Sequence, residues 1–344
     1  DTFGVTVDQD NDVHTNCGRD RHMGKGRTRD LEGRLVALIG GSGFVGTHLA
    51  QELLARGARL RICSRHPERS FRVKPLGILG QVQQVAVDIA KPHTLEVALT
   101  GVDSVVNLVG AFAGNLDAVQ GKGLRRLGEI AMARGVQALV HISAIGADAE
   151  SDVAYARTKA QGEEALKAAF PAVTVLRPSV MFGEDDKFIN MFAGLIAAFP
   201  VLPVFGPQAK FQPVFVDDVA EAVGNVLAAP EAHAGKVYEV AGPEQIAMAD
   251  LNRRIARAEG RERLFLNLPD GISSAIASAT GWLPGAPLSR DQWKLLQQGN
   301  VASGEVPGLK ELGVQARPLE LFLDRWAVRY RKYGRFGTKT RTAA

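Results

Sequence analysis

The seven residues Gly40-Gly41-Ser42-Gly43-Phe44-Val45-Gly46 lie between a short apolar run, 34–39, and a run with helical periodicity, 44–56. The glycines at 40, 43 and 46 follow one another at intervals of three. Their missing side chains allow a tight turn, a close approach of the backbone to a pyrophosphate and close packing of helix on strand. The helix N-terminus also offers free N–H groups and partial positive charge to phosphates. This stretch therefore predicts a dinucleotide-binding strand–turn–helix unit.

Strands and helices alternate on the C-terminal side of this unit. We predict further strands over 59–63, 82–87, 104–108, 137–143 and 172–176, and helices over 115–134 and 154–169. Such alternation implies right-handed crossovers and a parallel sheet. Beyond residue 178 the pattern becomes irregular, with helices predicted over 186–198 and 217–228 and a strand over 236–240. The predicted fold class is α/β, a Rossmann-type doubly wound parallel sheet with a smaller C-terminal α/β lobe.

The chain divides into four predicted segments. They are an extended polar leader (1–33), a Rossmann domain that binds the dinucleotide (34–180), a smaller lobe that contributes back to the sheet (181–324) and a basic aromatic tail (325–344). The leader lacks apolar periodicity, so we expect it to be disordered on its own. The tail contains seven basic residues and no acidic residue.

Two segments have two interpretations each. The tail is either a solvated terminus or a docking segment for an acidic protein surface or anionic lipid. No recognised nucleic-acid-binding module accompanies it, so nucleic acid is not an expected partner. The apolar stretch 264–288, which contains Trp282, is either core or an exposed patch for a partner or membrane surface.

The composition of the 344 residues, 46% apolar and 23% charged with a net charge of +4, is typical of a soluble globular protein. No apolar run approaches the roughly 18 residues that a transmembrane helix needs. The chain begins with Asp1 rather than Met, which fits a processed form that has lost a targeting peptide. Cys17 and Cys63 do not form a disulfide framework, and no ligand spacing predicts a metal site.

The end of the second predicted strand indicates which dinucleotide binds. An NAD site usually carries an acidic residue there, about 20 residues after the glycines, to hold the ribose 2′-hydroxyl. This chain has Ser64-Arg65 instead. Because a guanidinium pairs well with a phosphate, the sequence favours NADP(H) over NAD(H), and we expect NADPH as the cofactor.

Other predicted cofactor contacts follow later strands. Asp88-Ile89 follows the third strand, where Asp88 either accepts from the adenine amino group or caps the next helix. The backbone of Leu108, Val109 and Gly110 should run beside the cofactor at the end of the fourth strand. Arg177-Pro178 ends the sixth strand, and its backbone should pass the nicotinamide.

Tyr155 and Lys159 form a YxxxK motif on one face of a predicted helix. An ammonium near a phenol should lower the pKa of Tyr155 and allow it to exchange a proton with a substrate. Ser143, at the end of the fifth strand, is placed to bind the reacting oxygen. We expect these three side chains to line the cofactor site, whereas substrate turnover is a separate hypothesis. His141, within the fifth strand, is expected to be a packed core residue.

These motifs resemble those of the extended, or atypical, short-chain dehydrogenases/reductases. A narrower resemblance is to the nucleotide-binding accessory subunits of respiratory complex I. The leader motif Met23–Arg27 resembles that of mitochondrial members of this group. The later motifs that carry the resemblance are Val73–Gly77, Gly80–Val82, Asp185–Phe188, Phe211–Val214, Val216–Val219, Pro307–Gly313 and Gln315–Glu320.

The resemblance implies a supernumerary subunit of mitochondrial NADH:ubiquinone oxidoreductase, peripheral on the matrix side of the inner membrane. Such subunits hold NADPH structurally, outside the electron-transport path of the respiratory chain. They lie where the matrix and membrane arms meet, near the ubiquinone site. The implied partners are neighbouring complex I subunits, with anionic lipid contact through the basic tail. The cytoplasmic face of a bacterial membrane is the alternative location.

Two other functions fit the same motifs. Ser143, Tyr155 and Lys159 are compatible with a free-standing NADP-dependent short-chain reductase or a sugar-nucleotide epimerase. The second half of the chain, however, shows no clear site for a nucleotide-sugar phosphate. A regulator that senses the ratio of NADPH to NADP is the third hypothesis.

Overall fold

The computed structural model describes residues 29–110, 114–280, 290–332 and 334. The strands are β1 (Leu35–Ile39), β2 (Arg59–Ser64), β3 (Val82–Ala86), β4 (Ser104–Asn107), β5 (Ala138–Ile142), β6 (Thr174–Pro178), β7 (Met181–Phe182), β8 (Val201–Val204), β9 (Lys210–Phe211), β10 (Val214–Phe215), β11 (Val237–Val240), β12 (Ile246–Ala247) and β13 (Leu264–Asn267). The helices are α1 (Phe44–Ala55), α2 (Pro92–Ala98), α3 (Lys122–Ala133), α4 (Ala154–Ala169), α5 (Phe188–Ala198), α6 (Val216–Ala228), α7 (Pro230–His233), α8 (Met248–Ala258), α9 (Asp270–Thr280), α10 (Arg290–Gln298) and α11 (Glu320–Trp326).

Seven parallel strands form the central sheet, in the order β11-β6-β5-β4-β1-β2-β3. Strand β1 lies between β2 and β4, with Ile39 beside Cys63 on one side and Asn107 on the other. The seventh strand, β11, returns from the second half of the chain to pair with β6. Helices cover both faces, so the predicted α/β doubly wound fold class is confirmed.

The two faces of the sheet bury separate apolar clusters. Along β1, Val36 and Leu38 pack on the side of α1 and α6, whereas Ala37 and Ile39 pack on the side of α2, α3 and α4. Every residue of β1 is buried because helices cover both faces. This two-sided burial explains why the strand is a continuous apolar run rather than an alternating one.

A third apolar cluster forms the smaller lobe and includes the start of the predicted tail. The rings of Phe215 and Phe322 stack with centroids 4.1 Å apart, and Trp326 continues the stack from Phe322 at 5.1 Å. Tyr330 also packs on this cluster, and its hydroxyl donates to Asn190 Oδ1 at 2.9 Å. Residues 325–330 are therefore part of the folded body rather than a free tail. The aromatic residues Tyr333 and Phe336 lie outside the described residues.

Three further segments differ from, or refine, the sequence-based expectations. A π-helical turn, Asp117–Gly121, precedes α3 where one continuous helix was predicted. At the start of the chain, Leu31 is buried although it falls within the predicted polar leader, most of which, 1–28, lies outside the described residues. In the apolar stretch 264–288, the side chains of Leu264, Leu266 and Ile272 are exposed, whereas Trp282 lies outside the described residues.

The π-helical turn coincides with a very close helix–helix contact. A Cβ at Gly162 of α4 would lie 2.0 Å from the carbonyl oxygen of Gln120. The extra residue in the turn lets the chain accommodate the approach of α4. Among the described residues, no helix combines the length and the apolar character required to cross a bilayer.

An ion pair ties α6 to the C-terminal part of the chain. The carboxylate of Asp218, which is 1% exposed, accepts from Arg317 Nε at 2.5 Å and from the Arg317 backbone N–H at 2.8 Å. The Arg317 guanidinium also lies over the Phe215 ring, 4.6 Å from its centroid. Burial raises the pKa of Asp218, and the contacts with Arg317 oppose that shift.

We predict that Arg317→Leu lowers the free energy of unfolding by about 2 kcal/mol, because it leaves the buried Asp218 carboxylate without its charged partner. Arg253→Leu is the matched control, since it removes an exposed pair with Asp250. The control should lower the free energy of unfolding by less than about 0.5 kcal/mol. Urea denaturation of both variants measures the difference, and equal losses would contradict the role assigned to the buried pair.

Candidate dinucleotide-binding site

The glycine-rich stretch lies at the carboxyl edge of the sheet, between the ends of β1 and β4. Gly40 has a φ of +87°, and a Cβ there would lie 3.3 Å from both the Leu108 carbonyl carbon and the Val109 nitrogen. A Cβ at Gly46 would lie 2.4 Å from the Gly41 carbonyl oxygen. The chain thus brings the predicted glycines and the Leu108-Val109 backbone together, and α1 begins immediately beside them.

Ser64 and Arg65 lie at the end of β2, beside this stretch. Ser64 is buried, and its hydroxyl has no hydrogen-bond partner within the described part of the chain. Arg65 is exposed, and no described residue forms an ion pair with its guanidinium. A buried hydroxyl without a partner is costly, so a ligand oxygen is its natural complement. The free guanidinium adds positive charge at the same place.

Asp88 and Ile89 contribute differently from each other. Asp88 Oδ1 accepts from the Ala90 backbone N–H at 3.1 Å and so closes the turn that precedes α2. The carboxylate is only half-buried and keeps a face toward solvent. The Ile89 side chain is buried in the cluster below α3, so only its backbone is available to a ligand.

Ser143 and Lys159 lie together at the end of β5, and Tyr155 precedes Lys159 by one turn of α4. Lys159, 4% exposed, directs its ammonium to the Ile142 carbonyl oxygen at 3.4 Å. A Cβ at Gly110 would lie 3.1 Å from Lys159 Nζ, so Gly110 borders the same space. The Ser143 hydroxyl is buried without a hydrogen-bond partner among the described residues. These side chains border the end of the cleft opposite Ser64.

Burial opposes the lowering of the Tyr155 pKa that the sequence predicts. Burial raises the pKa of Tyr155 to about 12, so the phenol is fully protonated at neutral pH. Burial also lowers the pKa of Lys159 to about 8, and the charge of Glu163 opposes that change. The sequence placed the two side chains on one helix face but could not reveal that Lys159 is buried and Tyr155 half-buried.

Arg177 faces α4 rather than the cleft. Its guanidinium makes a two-pronged contact with Glu163, with Nε–Oε1 at 3.0 Å and Nη2–Oε2 at 2.7 Å. The Glu163 carboxylate raises the pKa of Arg177. Pro178 accepts from the Ile145 backbone N–H at 3.0 Å, which ties the end of β6 to the segment after Ser143. Only the backbone of Arg177-Pro178 therefore remains as a cofactor contact.

A buried Asn–His pair lies below Lys159 in the sheet. Asn107 Nδ2 is 2.9 Å from His141 Nδ1, and Asn107 Oδ1 accepts from the Val109 backbone N–H at 3.3 Å. Burial and the charge of Lys159 hold the pKa of His141 well below its ordinary value, so the imidazole is neutral. His141 is a packed core residue, and Asn107 shapes the backbone that borders the site.

The sequence did not single out His48, although it lies one helical turn after Phe44 on α1. His48 Nδ1 is 2.6 Å from Asp217 Oδ1, and Nε2 is 3.0 Å from Asp185 Oδ1. Burial alone would lower the pKa of His48, but hydrogen bonds and charge attraction from both aspartates raise it overall. The three residues connect α1 to the smaller lobe. The only signal of this contact in the sequence was a pair of adjacent aspartates in each of two motifs, Asp185–Phe188 and Val216–Val219.

The site fits a nicotinamide dinucleotide. Buried hydroxyls without described partners lie at both ends of the cleft, and the glycines leave the backbone accessible between them. No described group of histidine, cysteine or acidic side chains could hold a metal ion. A separate cavity of about 550 Å³ lies in the smaller lobe, bordered by Gln208, Lys210 and Gln297. Neither the glycine-rich stretch nor Tyr155 borders that cavity.

The depressed pKa of Lys159 predicts a pH-dependent stability. Between about pH 8 and pH 10 the unfolded chain keeps a proton on this lysine that the folded chain releases, so stability should rise with pH. Relative to Lys159→Met, the unfolding free energy of the cofactor-free protein should therefore increase by about 2 kcal/mol over this range. Denaturant titrations at several pH values test this prediction. Parallel pH curves for the two proteins would refute it.

The chain is similar to known proteins in both sequence and structure. It is 29% identical over 320 residues to NADH dehydrogenase [ubiquinone] 1 alpha subcomplex subunit 9, mitochondrial, of Rattus norvegicus, covering 90% of this chain and 84% of that protein. It is 26% identical to the NADH-ubiquinone oxidoreductase 40 kDa subunit, mitochondrial, of Neurospora crassa, covering 92% and 85%. These matches confirm the resemblance drawn from the motifs.

The fold also matches that of Citrobacter sp. triphenylmethane reductase complexed with NADP(H), with a TM-score of 0.68 at 17% identity, covering 85% of this chain and 99% of that one. The sequence profile of the NAD dependent epimerase/dehydratase family matches residues 36–241. The cofactor class expected at the cleft is therefore a nicotinamide dinucleotide. The chain belongs to the NAD dependent epimerase/dehydratase family.

Proposed function

We propose that the chain is an accessory subunit of mitochondrial-type complex I that binds NADPH as a structural cofactor and supports assembly and stability. The observation that carries this proposal is similarity along nearly the whole chain to proteins named as subunits of that enzyme. We place it at the junction of the matrix and membrane arms, outside the electron path. Its partners there are other complex I subunits.

The cleft can stabilise the fold through its ligand. A cofactor that binds only the folded chain stabilises it by mass action. The glycine-rich stretch, Ser64 and Arg65 would hold the adenosine and phosphate part, while Ser143 and Lys159 would hold the nicotinamide part. These groups come from the ends of β1, β2 and β5 and from α4, so one ligand would connect three strands of the sheet to that helix.

The state of Tyr155 supports a holding role rather than turnover. A general acid or base works best when its pKa is near the working pH. Burial places the pKa of Tyr155 at about 12, far from that range. When bound, NADPH would supply a hydride donor, whereas a phenol with this pKa would not act as a general base near neutral pH. Tyr155 and Lys159 would then serve as walls and hydrogen-bonding groups for the nucleotide.

The preference for NADPH rests on Arg65 and Ser64. We predict that Arg65→Ala weakens NADPH binding about tenfold to a hundredfold, since charge-assisted hydrogen bonds to the 2′-phosphate are lost. NADH, which lacks that phosphate, should bind the variant and the wild type equally. Arg59→Ala, exposed at the other end of β2, is the matched control. Isothermal titration calorimetry gives all affinities, and an equal loss for both nucleotides would contradict the assignment.

We further propose a peripheral position on the matrix side of the mitochondrial inner membrane, with the basic tail contacting anionic lipid. Seven cations and no acidic residue lie between 325 and 344. Cations near an anionic membrane surface contribute about 1 kcal/mol each. The helix α11 and the packed residues after it would hold the start of this tail against the smaller lobe.

A free-standing NADP-dependent reductase or epimerase is the second candidate function. The observation that favours it is that Ser143 and Lys159 lie together at the end of β5, with Tyr155 one helical turn before Lys159 on α4. Here the same three side chains would act on a carbonyl or alcohol. This candidate requires a substrate to reach the buried phenol and to change its proton affinity.

Purification of the native chain in mild detergent separates the two candidates. We expect co-migration on native gels with a large quinone-reducing assembly, with other complex I subunits identified by mass spectrometry. In cells that carry Arg65→Ala, less of the assembly should form, because the cofactor-depleted chain is less stable. Cells that carry Tyr155→Phe should assemble it normally. Isolation of the chain only as a small homogeneous species would overturn the proposal and favour the enzyme.

A further inference from the structure

The connection between β2 and β3, residues 65–81, carries an exposed apolar tip with basic flanks, which we call the β2–β3 crossover. We propose that this crossover is a membrane-docking element whose apolar tip enters the interface of a bilayer rich in anionic phospholipid. It is separate from the basic tail along the chain. The inference does not depend on membership of any assembly.

The tip exposes four large apolar side chains within nine residues. Phe71 is 66% exposed, Leu76 43%, Ile78 80% and Leu79 105%. Leu79 is therefore as accessible as in an extended peptide, so the tip is convex rather than a groove. Contiguous exposed apolar surface in a folded protein marks an interaction site. A bilayer accepts a convex apolar tip without a preformed cavity, whereas a protein partner needs a matching pocket.

The base of the crossover is firmly held, so the exposure of the tip is a property of the fold. Val73, a residue of the crossover, is completely buried in the apolar cluster that includes β1 and β2. Gln84 of β3 donates to Ser70 Oγ at 2.7 Å, and Gln81 donates to the Ala58 carbonyl at 2.8 Å. Gln81 also accepts from the Ile78 backbone N–H at 3.1 Å. These bonds fix both ends of the tip while its apolar side chains point into solvent.

The charges beside the tip favour an anionic surface. Arg69, Arg72 and Lys74 are exposed, and no carboxylate in the described part of the chain pairs with them. Glu68, the single acidic residue of the crossover, lies 3.2 Å from His66. From residue 69 to residue 87 the chain contains no acidic residue. Cations set behind an apolar tip are the arrangement that attracts and then anchors a peripheral protein at anionic lipid.

The sheet edge explains why the crossover is available. Strand β3 is the last strand of the sheet, and short 3-10 turns at Pro67–Arg72 and Lys74–Leu76 replace the helix that usually connects such strands. The short turns cannot bury four apolar side chains. These apolar side chains therefore project beyond the edge of the sheet.

The test uses the purified full-length chain with NADPH and vesicles of phosphatidylcholine, alone or mixed with phosphatidylserine. We expect co-sedimentation with the mixed vesicles only, weakening as salt is raised. The double variant Ile78→Asp/Leu79→Asp should reduce partitioning about tenfold or more. Val97→Asp, a similarly exposed apolar site on α2, should not change it. The basic tail is present in every protein, so it cannot account for the difference.

A triple variant, Arg69→Gln/Arg72→Gln/Lys74→Gln, separates charge from apolar insertion and should weaken the preference for phosphatidylserine to the part that the basic tail supplies. Unchanged thermal unfolding and NADPH affinity will establish that each variant is folded. Equal partitioning of the Ile78/Leu79 variant and the wild type would overturn the proposal. The proposal would also be overturned if the Ile78/Leu79 variant still bound vesicles but was lost from a native assembly. The tip would then dock on a protein rather than on a bilayer. The first result leaves the proposed subunit role untouched, and the second would support it.

Discussion

The fold and the site both depend on the contact between Gly46 and the backbone of Gly41. Any side chain at 46 would overlap the Gly41 carbonyl, so α1 could not begin directly against the end of β1. That close start directs the first N–H groups of the helix toward the carboxyl edge of the sheet. The other face of α1 packs against α6 in the same cluster as β1. One contact therefore positions the cofactor cleft and joins the two lobes.

The cleft combines groups suited to holding a nucleotide with a phenol whose pKa is raised by burial. Ser64 and Ser143 are buried hydroxyls at its opposite ends, and Lys159 lies beneath the second of them. Burial moves the pKa of Tyr155 upward and that of Lys159 downward, so each group favours its neutral form. A shared fold leaves the chemistry of such a site to the surroundings of its individual side chains.

Much of this architecture could be predicted from the sequence, because it depends on local patterns. Apolar runs, glycine spacing and the YxxxK interval are properties of neighbouring residues, and they gave the parallel sheet and the position of Tyr155. Features created by distant parts of the chain escaped prediction. His48 meets Asp185 and Asp217 only after the lobes close, 137 and 169 residues apart along the chain. The pKa of Tyr155 likewise depends on how much surrounding structure excludes water.

The packing of the start of the tail against the smaller lobe could not be predicted for the same reason. Aromatic residues among arginines resemble a surface segment when read alone. In the structure Phe215, contributed from a hundred residues earlier, provides the stacking partner for Phe322. The basic residues 325–332 are then carried on a packed segment rather than a free end.

The return of α6 and β11 to the first half of the molecule limits the order in which a nascent chain can fold. The face of the sheet beneath α6 buries Leu38 and Val140, yet α6 is synthesised only at residues 216–228. An emerging chain of 180 residues would thus expose an apolar surface and lack the edge strand next to β6. Such intermediates are prone to aggregation. About two-thirds of the chain must therefore be present before its first half can close, and the apolar surface beneath α6 stays uncovered until then.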